Sequence, residues 1–201
     1  VVVKVRVNPR QGTDMLASSG LRRDVELGTM PESASSPAVS KVLDLFEQLR
    51  AVPPQPVSFR LTEDEINEYL KYALYATPRP GIQAISVKIF PRNYISTHTI
   101  VDFDAVERWK PGTIPLFLRP VLNGRKAIWL DYRFQSEDGK ATFSIEKAYY
   151  QNVSLPRFFV RSLMEAVAAR QPEQYDLSRP VPLPFGLREV STDAGVLTGR
   201  N

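Results

Sequence analysis

One helix start constrains the fold of this chain more than any other stretch of its sequence. Thr62 stands where a side chain can cap a helix, and Glu65 can reach back to the Thr62 amide, which makes a capping box. Leu61 and Ile66 occupy the two positions of a hydrophobic staple around the same cap. Apolar residues then recur on one helical face at Ile66, Tyr69, Leu70, Ala73 and Leu74. The pattern predicts an amphipathic helix that runs to about Ala76.

After this helix the hydrophobic period changes from helical to two, which is typical of strands with one buried face. Alternating segments are found at residues 85–89, 95–103, 128–134 and 143–149, the last with its inward row at 143, 145, 147 and 149. Asp138-Gly139 predicts a tight hairpin turn, and Asp193-Ala194-Gly195 predicts the turn of a final hairpin. The fold class is therefore α+β, with a long, curved antiparallel β-meander wrapped around a helix and two further helices.

The two further helices lie at either side of the meander in sequence. The first is expected to begin with Ser36 as its N-cap and Pro37 at its first position. Its apolar stripe is Val39, Val42, Leu43, Phe46 and Leu49. The other is expected to begin near Leu155-Pro156 and to end at Pro172. Its apolar side carries Phe159, Leu163, Met164, Val167 and Ala168.

The chain length favours one compact unit with an N-terminal extension. A chain of 201 residues that is 43% hydrophobic can bury one good core. We assign residues 1–56 to an N-terminal strand, loop and helix, and residues 57–201 to the helix and curved sheet. The valine-rich residues 1–7 fit a first strand, or the end of a membrane anchor that has been removed, and the two interpretations are compatible. Residues 8–36 have the composition of a loop.

Composition excludes several classes of site. The absence of cysteine excludes disulfides and thiolate metal sites, and a single histidine excludes an imidazole-rich metal site in one chain. The net charge of +4 is spread over scattered Arg and Lys residues, so we predict no nucleic-acid partner. We expect no cofactor. The oligomeric state does not follow from the sequence.

Few residues suggest catalysis. His98 has no neighbouring residue in sequence that would orient it as a general base. The period of two places Asp102 and Asp104 on one strand face, where they would hold a cation, flank a glycosidic bond or simply face solvent. Solvent exposure is the simplest of these interpretations, and we predict that the protein is not an enzyme.

A more distinctive feature is the number of apolar side chains that would face a common interior. Plain core packing explains any one of them. Taken together, these side chains would also line a groove for an apolar ligand, formed where a long sheet wraps around one helix. The candidate ligand-binding residues are Tyr69, Leu70, Leu74, Ile128, Leu130, Phe134, Phe143, Ile145, Phe159 and Leu163.

The helix start also carries a family resemblance. Residues 61–70, Leu-Thr-Glu-Asp-Glu-Ile-Asn-Glu-Tyr-Leu, resemble the corresponding helix start of bacterial envelope proteins, the YceB-like lipoproteins and the YpmS-like membrane-anchored proteins. The later landmarks Leu155-Pro156 and residues 183–187 are compatible with this resemblance. Thr62, Glu65 and Asn67 match motif positions, and Asn67 is expected to bond the neighbouring backbone through its amide.

The resemblance implies a fold, a location and a type of ligand. It implies a helix packed in a strongly curved antiparallel sheet, similar to tubular lipid-binding (BPI-like) modules, and it carries over no catalytic residue. It also implies a bacterial cell-envelope location and an upstream membrane anchor. We therefore predict a non-enzymatic envelope protein that binds a lipid or another apolar molecule in a groove between helix and sheet. The alternative is a structural or protein-interaction module with a filled core and no ligand.

Overall fold

The structure is a computed structural model that describes residues 36–52, 55–114, 116–151, 153–156, 160 and 179–201. Its helices are α1 (Pro37–Arg50), α2 (Glu63–Ala76) and α3 (Phe103–Trp109), with short 3₁₀ turns at Leu116–Leu118 and Pro184–Gly186. Its strands are β1 (Ser58–Thr62), β2 (Ile82–Phe90), β3 (Tyr94–Asp102), β4 (Arg125–Glu137), β5 (Lys140–Tyr150), β6 (Val153–Ser154), β7 (Val181–Pro182), β8 (Glu189–Asp193) and β9 (Val196–Arg200).

Two antiparallel sheets form the framework. Strands β2, β3, β4 and β5 make a meander, and β6 and β7 pair with the two ends of β5 to complete a six-stranded sheet. The second sheet has three strands in the order β1-β9-β8. The predicted α+β class with an antiparallel meander is confirmed, and the larger sheet is open, with β2 at its edge.

The helix start at Thr62 has the predicted geometry. The Thr62 side chain accepts a hydrogen bond from the Glu65 amide at 3.3 Å, and the Glu65 carboxylate accepts one from the Thr62 amide at 2.8 Å. The capping box is therefore complete, and α2 ends at Ala76 as predicted. Because three acidic residues occupy its first turn, α2 also has a favourable charge at the positive end of its dipole.

The first helix is also confirmed, whereas other N- and C-terminal predictions fall outside the described residues. Ser36 caps α1 by accepting a hydrogen bond from the Ala38 amide at 3.2 Å. Lys41 of α1 bonds Glu65 of α2 at 2.7 Å, so the two helices lie side by side. The predicted strand and loop at 1–35 lie outside the described residues. So does the helix predicted after Leu155, except Val160, which is helical and buried.

The β4–β5 hairpin has the predicted turn, but a β-bulge changes which residues of β5 face inward. Its turn, Asp138-Gly139, has φ values of 48° and 75°, as a two-residue turn with left-handed backbone requires. The pairing register shifts between Asp131 and Tyr132, where β5 contributes one extra residue. This β-bulge moves the inward row from Ile145 to Ala148, so the prediction that Lys147 and Tyr149 share the face of Phe143 and Ile145 was wrong.

The expected pair of aspartates on one strand face was also wrong. β3 ends at Asp102, whose side chain accepts a hydrogen bond from the Ala105 amide at 3.0 Å and so caps α3. Asp104 lies in the first turn of α3 and accepts a hydrogen bond from the Gly124 amide at 3.1 Å. Phe103 continues the alternating pattern in sequence, which concealed the change from strand to helix. Both carboxylates therefore organise a helix start and a loop.

Helix α2 covers the open edge of the large sheet. The Asn67 side chain donates a hydrogen bond to the Val87 carbonyl at 2.9 Å and accepts one from the Val87 amide at 2.8 Å. Glu63 accepts a hydrogen bond from the Ile89 amide at 2.8 Å. Asn67 thus bonds neighbouring backbone, as the motif resemblance implied, and it replaces the peptide group of an absent next strand.

No strand ladder joins the two sheets within the described residues; two backbone hydrogen bonds, from the Gly195 amide to the Ile89 carbonyl and from the Gly139 amide to the Arg188 carbonyl, connect them. Side chains add a seam, which consists of Asn93, Ser136, Val190 and Thr192. The Ser136 hydroxyl donates to the Val190 carbonyl at 2.6 Å and accepts from the Val190 amide at 2.8 Å. The Asn93 side chain accepts from the Thr192 amide at 2.8 Å, and the Thr192 hydroxyl donates to the Phe90 carbonyl at 2.7 Å. The small sheet is therefore fixed across one end of the meander.

Candidate functional site

An apolar cavity of about 330 Å³ lies where α1, α2, the small sheet and the inner face of the meander meet. Helices α1 and α2 supply Val42, Leu45, Phe46, Leu49, Ile66 and Tyr69, and the small sheet supplies Phe59, Leu61, Val190 and Leu197. The meander supplies Ile95, Tyr132, Phe134, Ala141 and Phe143, and the segment before β8 supplies Leu183, Pro184, Phe185 and Leu187. Such a size is within the range of small-molecule sites.

Local sequence patterns bring these side chains together. The predicted apolar stripe of α1 supplies three lining residues, Val42, Phe46 and Leu49, because residues three and four apart share one helical face. Leu45, which was not in the predicted stripe, lies on the same face and lines the cavity as well. The staple residues Leu61 and Ile66, which fix how the chain enters α2, both line the cavity as well. Cross-strand pairing aligns Ile95 with Tyr132 and Phe134 with Phe143 on the inner face of the meander.

The cavity lining is almost free of polar side-chain atoms. Tyr69 and Tyr132 contribute the polar side-chain atoms among the lining residues. Burial raises the pKa of Tyr69, and it raises the pKa of Tyr132 as well. Both phenols are therefore neutral at physiological pH, and the Tyr132 hydroxyl is 3.4 Å from the Thr97 hydroxyl. The lining thus offers burial of apolar surface and few directional contacts.

A positive charge lies beside this lining. The Arg50 guanidinium carbon is 5.2 Å from the ring centroid of Phe185 and 5.9 Å from that of Phe46. Both rings line the cavity, and the α1 residue Arg50 is itself exposed. The arrangement therefore places a cation stacked on aromatic rings at the margin of an apolar cavity.

The structure brings three of the candidate residues together at the cavity: Tyr69, Phe134 and Phe143. Leu70 and Leu74 are half-buried on α2 and do not line it. Ile128, Leu130 and Ile145 lie on the same inner face of the meander, outside the lining. Phe159 and Leu163 lie outside the described residues.

Most other lining residues were present in the sequence patterns without being assigned to a site. The stripe of α1 predicted a buried helical face, and Tyr132 belongs to the alternating row of β4. Residues 183–187 had no alternating or helical signal, because the chain there bends through a 3₁₀ turn in which Phe185 has a φ of 58°. An alternation or a helical period cannot reveal a segment of that shape.

Other types of site find little support in the described part of the chain. Its His, Asp and Glu side chains form no group of three or more that would hold a metal ion. None of its helices is long and apolar enough to cross a bilayer. His98 stacks on Trp129 with their ring centroids 3.8 Å apart. Both rings lie on the outer face of the meander, away from the cavity.

Comparison with known proteins does not assign a family. A scan against protein-family models found no match, and searches of curated proteins and of solved structures found none either. The resemblance of residues 61–70 to envelope proteins is therefore untested and stays a prediction.

Proposed function

We propose that the protein binds the acyl chain of a lipid, or a similar apolar molecule, in the cavity and catalyses no reaction. The cavity itself is the observation that supports this proposal. A space of about 330 Å³ with an almost entirely apolar lining is a poor site for water, because a bound water needs two to four polar partners. An apolar ligand gains the full benefit of burial there.

The proposal includes the character of the ligand's head group and the place where the protein acts. Arg50, stacked on two lining rings, favours an anionic group such as a carboxylate or a phosphate at the margin of the cavity. The resemblance of residues 61–70 supports a bacterial cell-envelope location with an upstream membrane anchor. The upstream sequence of the gene product tests this part, since a signal or anchor segment there would support it.

Two other functions find less support. A structural or protein-interaction module with a filled core leaves the cavity unexplained. An enzyme that uses Asp102 and Asp104 needs both carboxylates on one face, whereas each of them bonds a backbone amide at α3.

Extraction of the purified protein with organic solvent, followed by mass spectrometry, tests the proposal directly. We expect a lipid or fatty acid to co-purify with the wild-type protein. The Leu49→Trp variant should carry much less of it, because the larger side chain projects into the cavity from α1.

A matched variant controls for general effects of the substitution. Leu43 is half-buried on the same helix and does not line the cavity, so Leu43→Trp should retain the wild-type amount of lipid. If wild-type protein yields no apolar molecule and binds no added fatty acid, the proposal fails. Equal loss in both variants would also contradict it, since the cavity would then not be the site.

A further inference from the structure

A second feature of the molecule lies at the far end of the meander from the cavity. We call the described residues between α3 and β4, namely 110–114 and 116–124, together with Trp109 at the end of α3, the tip loop. It adjoins the end of β3 and the start of β4, whereas the cavity lies at the start of β3 and the end of β4. The tip loop and the cavity are therefore separate surfaces.

One carboxylate fixes the shape of the tip loop. Glu107 of α3 accepts hydrogen bonds from the Gly112 amide at 2.8 Å and the Ile114 amide at 3.1 Å, and it also pairs with Arg119. Hydrogen bonds from these two amides lower the pKa of Glu107, so the carboxylate is charged at neutral pH. The tip loop is thus held by contacts from both of its halves.

Large apolar side chains project from this braced loop. Ile114 and Leu122 are buried and attach the loop to the body of the protein. In contrast, Leu116 is 75% exposed, Val121 is 53% exposed, and Trp109 at the start of the loop is 65% exposed. Ile114 and Leu122 therefore attach the loop to the protein, and the exposed apolar side chains are not part of that attachment.

The charges around the tip loop favour an anionic partner. Residues 102–126 contain five Lys or Arg residues and three Asp or Glu residues. Each of the three carboxylates accepts hydrogen bonds from backbone amides. Arg108, Lys110 and Arg125 are exposed and have no ion-pair partner within the described residues. Arg108 and Lys110 therefore flank the exposed Trp109 in the chain, and the segment has an excess of positive charge.

We infer that the tip loop docks on the surface of an anionic lipid bilayer, with Trp109, Leu116 and Val121 inserted at the level of the head groups. Tryptophan prefers this interface, and nearby cations are attracted to anionic lipids. The three exposed apolar side chains of the tip loop are too small a surface for a stable protein interface, which needs about 1,000 Å² or more of total buried area. Insertion into a bilayer has no such requirement.

The two tryptophans of the chain allow a direct test with vesicles of mixed phosphatidylglycerol and phosphatidylcholine. In Trp129→Phe protein the sole tryptophan is Trp109, and its emission should shift to the blue when vesicles are added. In Trp109→Phe protein the sole tryptophan is Trp129, on the outer face of the meander, and its emission should not shift. Pure phosphatidylcholine vesicles should give a much weaker response.

Flotation with the same vesicles measures the contribution of each side chain. Leu116→Ser should weaken binding about tenfold, whereas Val52→Ser, at an even more exposed residue after α1, should have no effect. Lys110→Gln and Arg125→Gln should each weaken binding about fivefold on anionic vesicles. Leu49→Trp should float like the wild type, so failure of ligand binding and failure of docking are distinguishable.

Three results would overturn the inference. One is the absence of flotation with anionic vesicles. Another is a blue shift of Trp129 emission in place of Trp109 emission. The third is dimerisation of the wild type that Leu116→Ser abolishes without any flotation, since the tip loop would then contact a second copy of the chain.

Discussion

The size of the cavity predicts how affinity depends on the length of a fatty acid. At about 30 Å³ for each non-hydrogen atom, a cavity of about 330 Å³ holds about eleven such atoms. Each methylene that enters contributes about 0.8 kcal/mol, which is about a fourfold decrease in Kd. Affinity should therefore rise from octanoate to decanoate by about sixteenfold and level off near dodecanoate.

The absolute affinity follows from the same reasoning. Eleven buried groups contribute about 9 kcal/mol, from which association subtracts at least about 4 kcal/mol. The remainder of about 5 kcal/mol corresponds to a Kd on the order of 0.1 mM for a chain that fills the cavity. Arg50 should add a preference for decanoate over decanol, because only the acid carries a negative charge.

Isothermal titration calorimetry on protein freed of lipid measures this series. Binding should show a negative heat-capacity change, the signature of apolar burial. Leu49→Trp should shift the plateau to shorter chains, and Leu43→Trp should reproduce the wild-type series. A fourfold gain for each methylene that continues through hexadecanoate would refute the volume argument, and so would an affinity that does not depend on chain length.

Three further predictions concern stability and the tip loop. Asn67→Ala should lower the free energy of unfolding, measured in urea, by about 2 kcal/mol, since it removes two hydrogen bonds of about 1 kcal/mol each. The control Asn123→Ala removes two hydrogen bonds at an exposed site and should have little effect. Equal effects of the two substitutions would contradict the role of Asn67 in covering the sheet edge. Thr62→Ala should cost about 1 kcal/mol by the same assay, and no change would mean that the capping box adds nothing. The pKa of Glu107 is lowered in the folded chain, so its bracing is complete above the ordinary value of 4.5 and is lost as pH falls through the folded pKa. The NMR shift of the Gly112 amide should report that loss, and Glu107→Gln should show no such titration.

Sequence reasoning succeeded where the structural rule is local. The box at Thr62, the cap at Ser36 and the turn at Asp138-Gly139 each depend on residues within four positions of one another. The residues at those positions favour few other local conformations, so the predicted caps and turn are confirmed at the predicted residues. The inward row of β4 was identified in the same way, from its period of two.

Features that depend on distant residues could not be predicted. β1 pairs with β9, more than a hundred residues away, so that a second sheet accompanies the expected meander. The bulge beside Tyr132 and the start of α3 each interrupt an alternation that continues in the sequence. The cavity is the space that two helices and two sheets leave unfilled between them. No local sequence pattern predicts the distances between these elements. Tyr69, Phe134 and Phe143 were identified because they point inward, whereas the lining from α1 was assigned to ordinary packing.

The seam between the sheets has a consequence for how firmly the cavity wall is held. Val190 of β8 lines the cavity and is fixed to the meander by Ser136. Besides the four hydrogen bonds of the seam, the Gly195 amide bonds the Ile89 carbonyl and the Gly139 amide bonds the Arg188 carbonyl. At about 1 kcal/mol net each, these bonds would cost about 6 kcal/mol to break, so we expect fewer than about one molecule in ten thousand to have this wall open at any moment. Because the cavity is already partly open to solvent, a ligand can enter without this opening. Substitutions of Ser136 would therefore loosen the wall and lower equilibrium affinity more than they would change exchange rates.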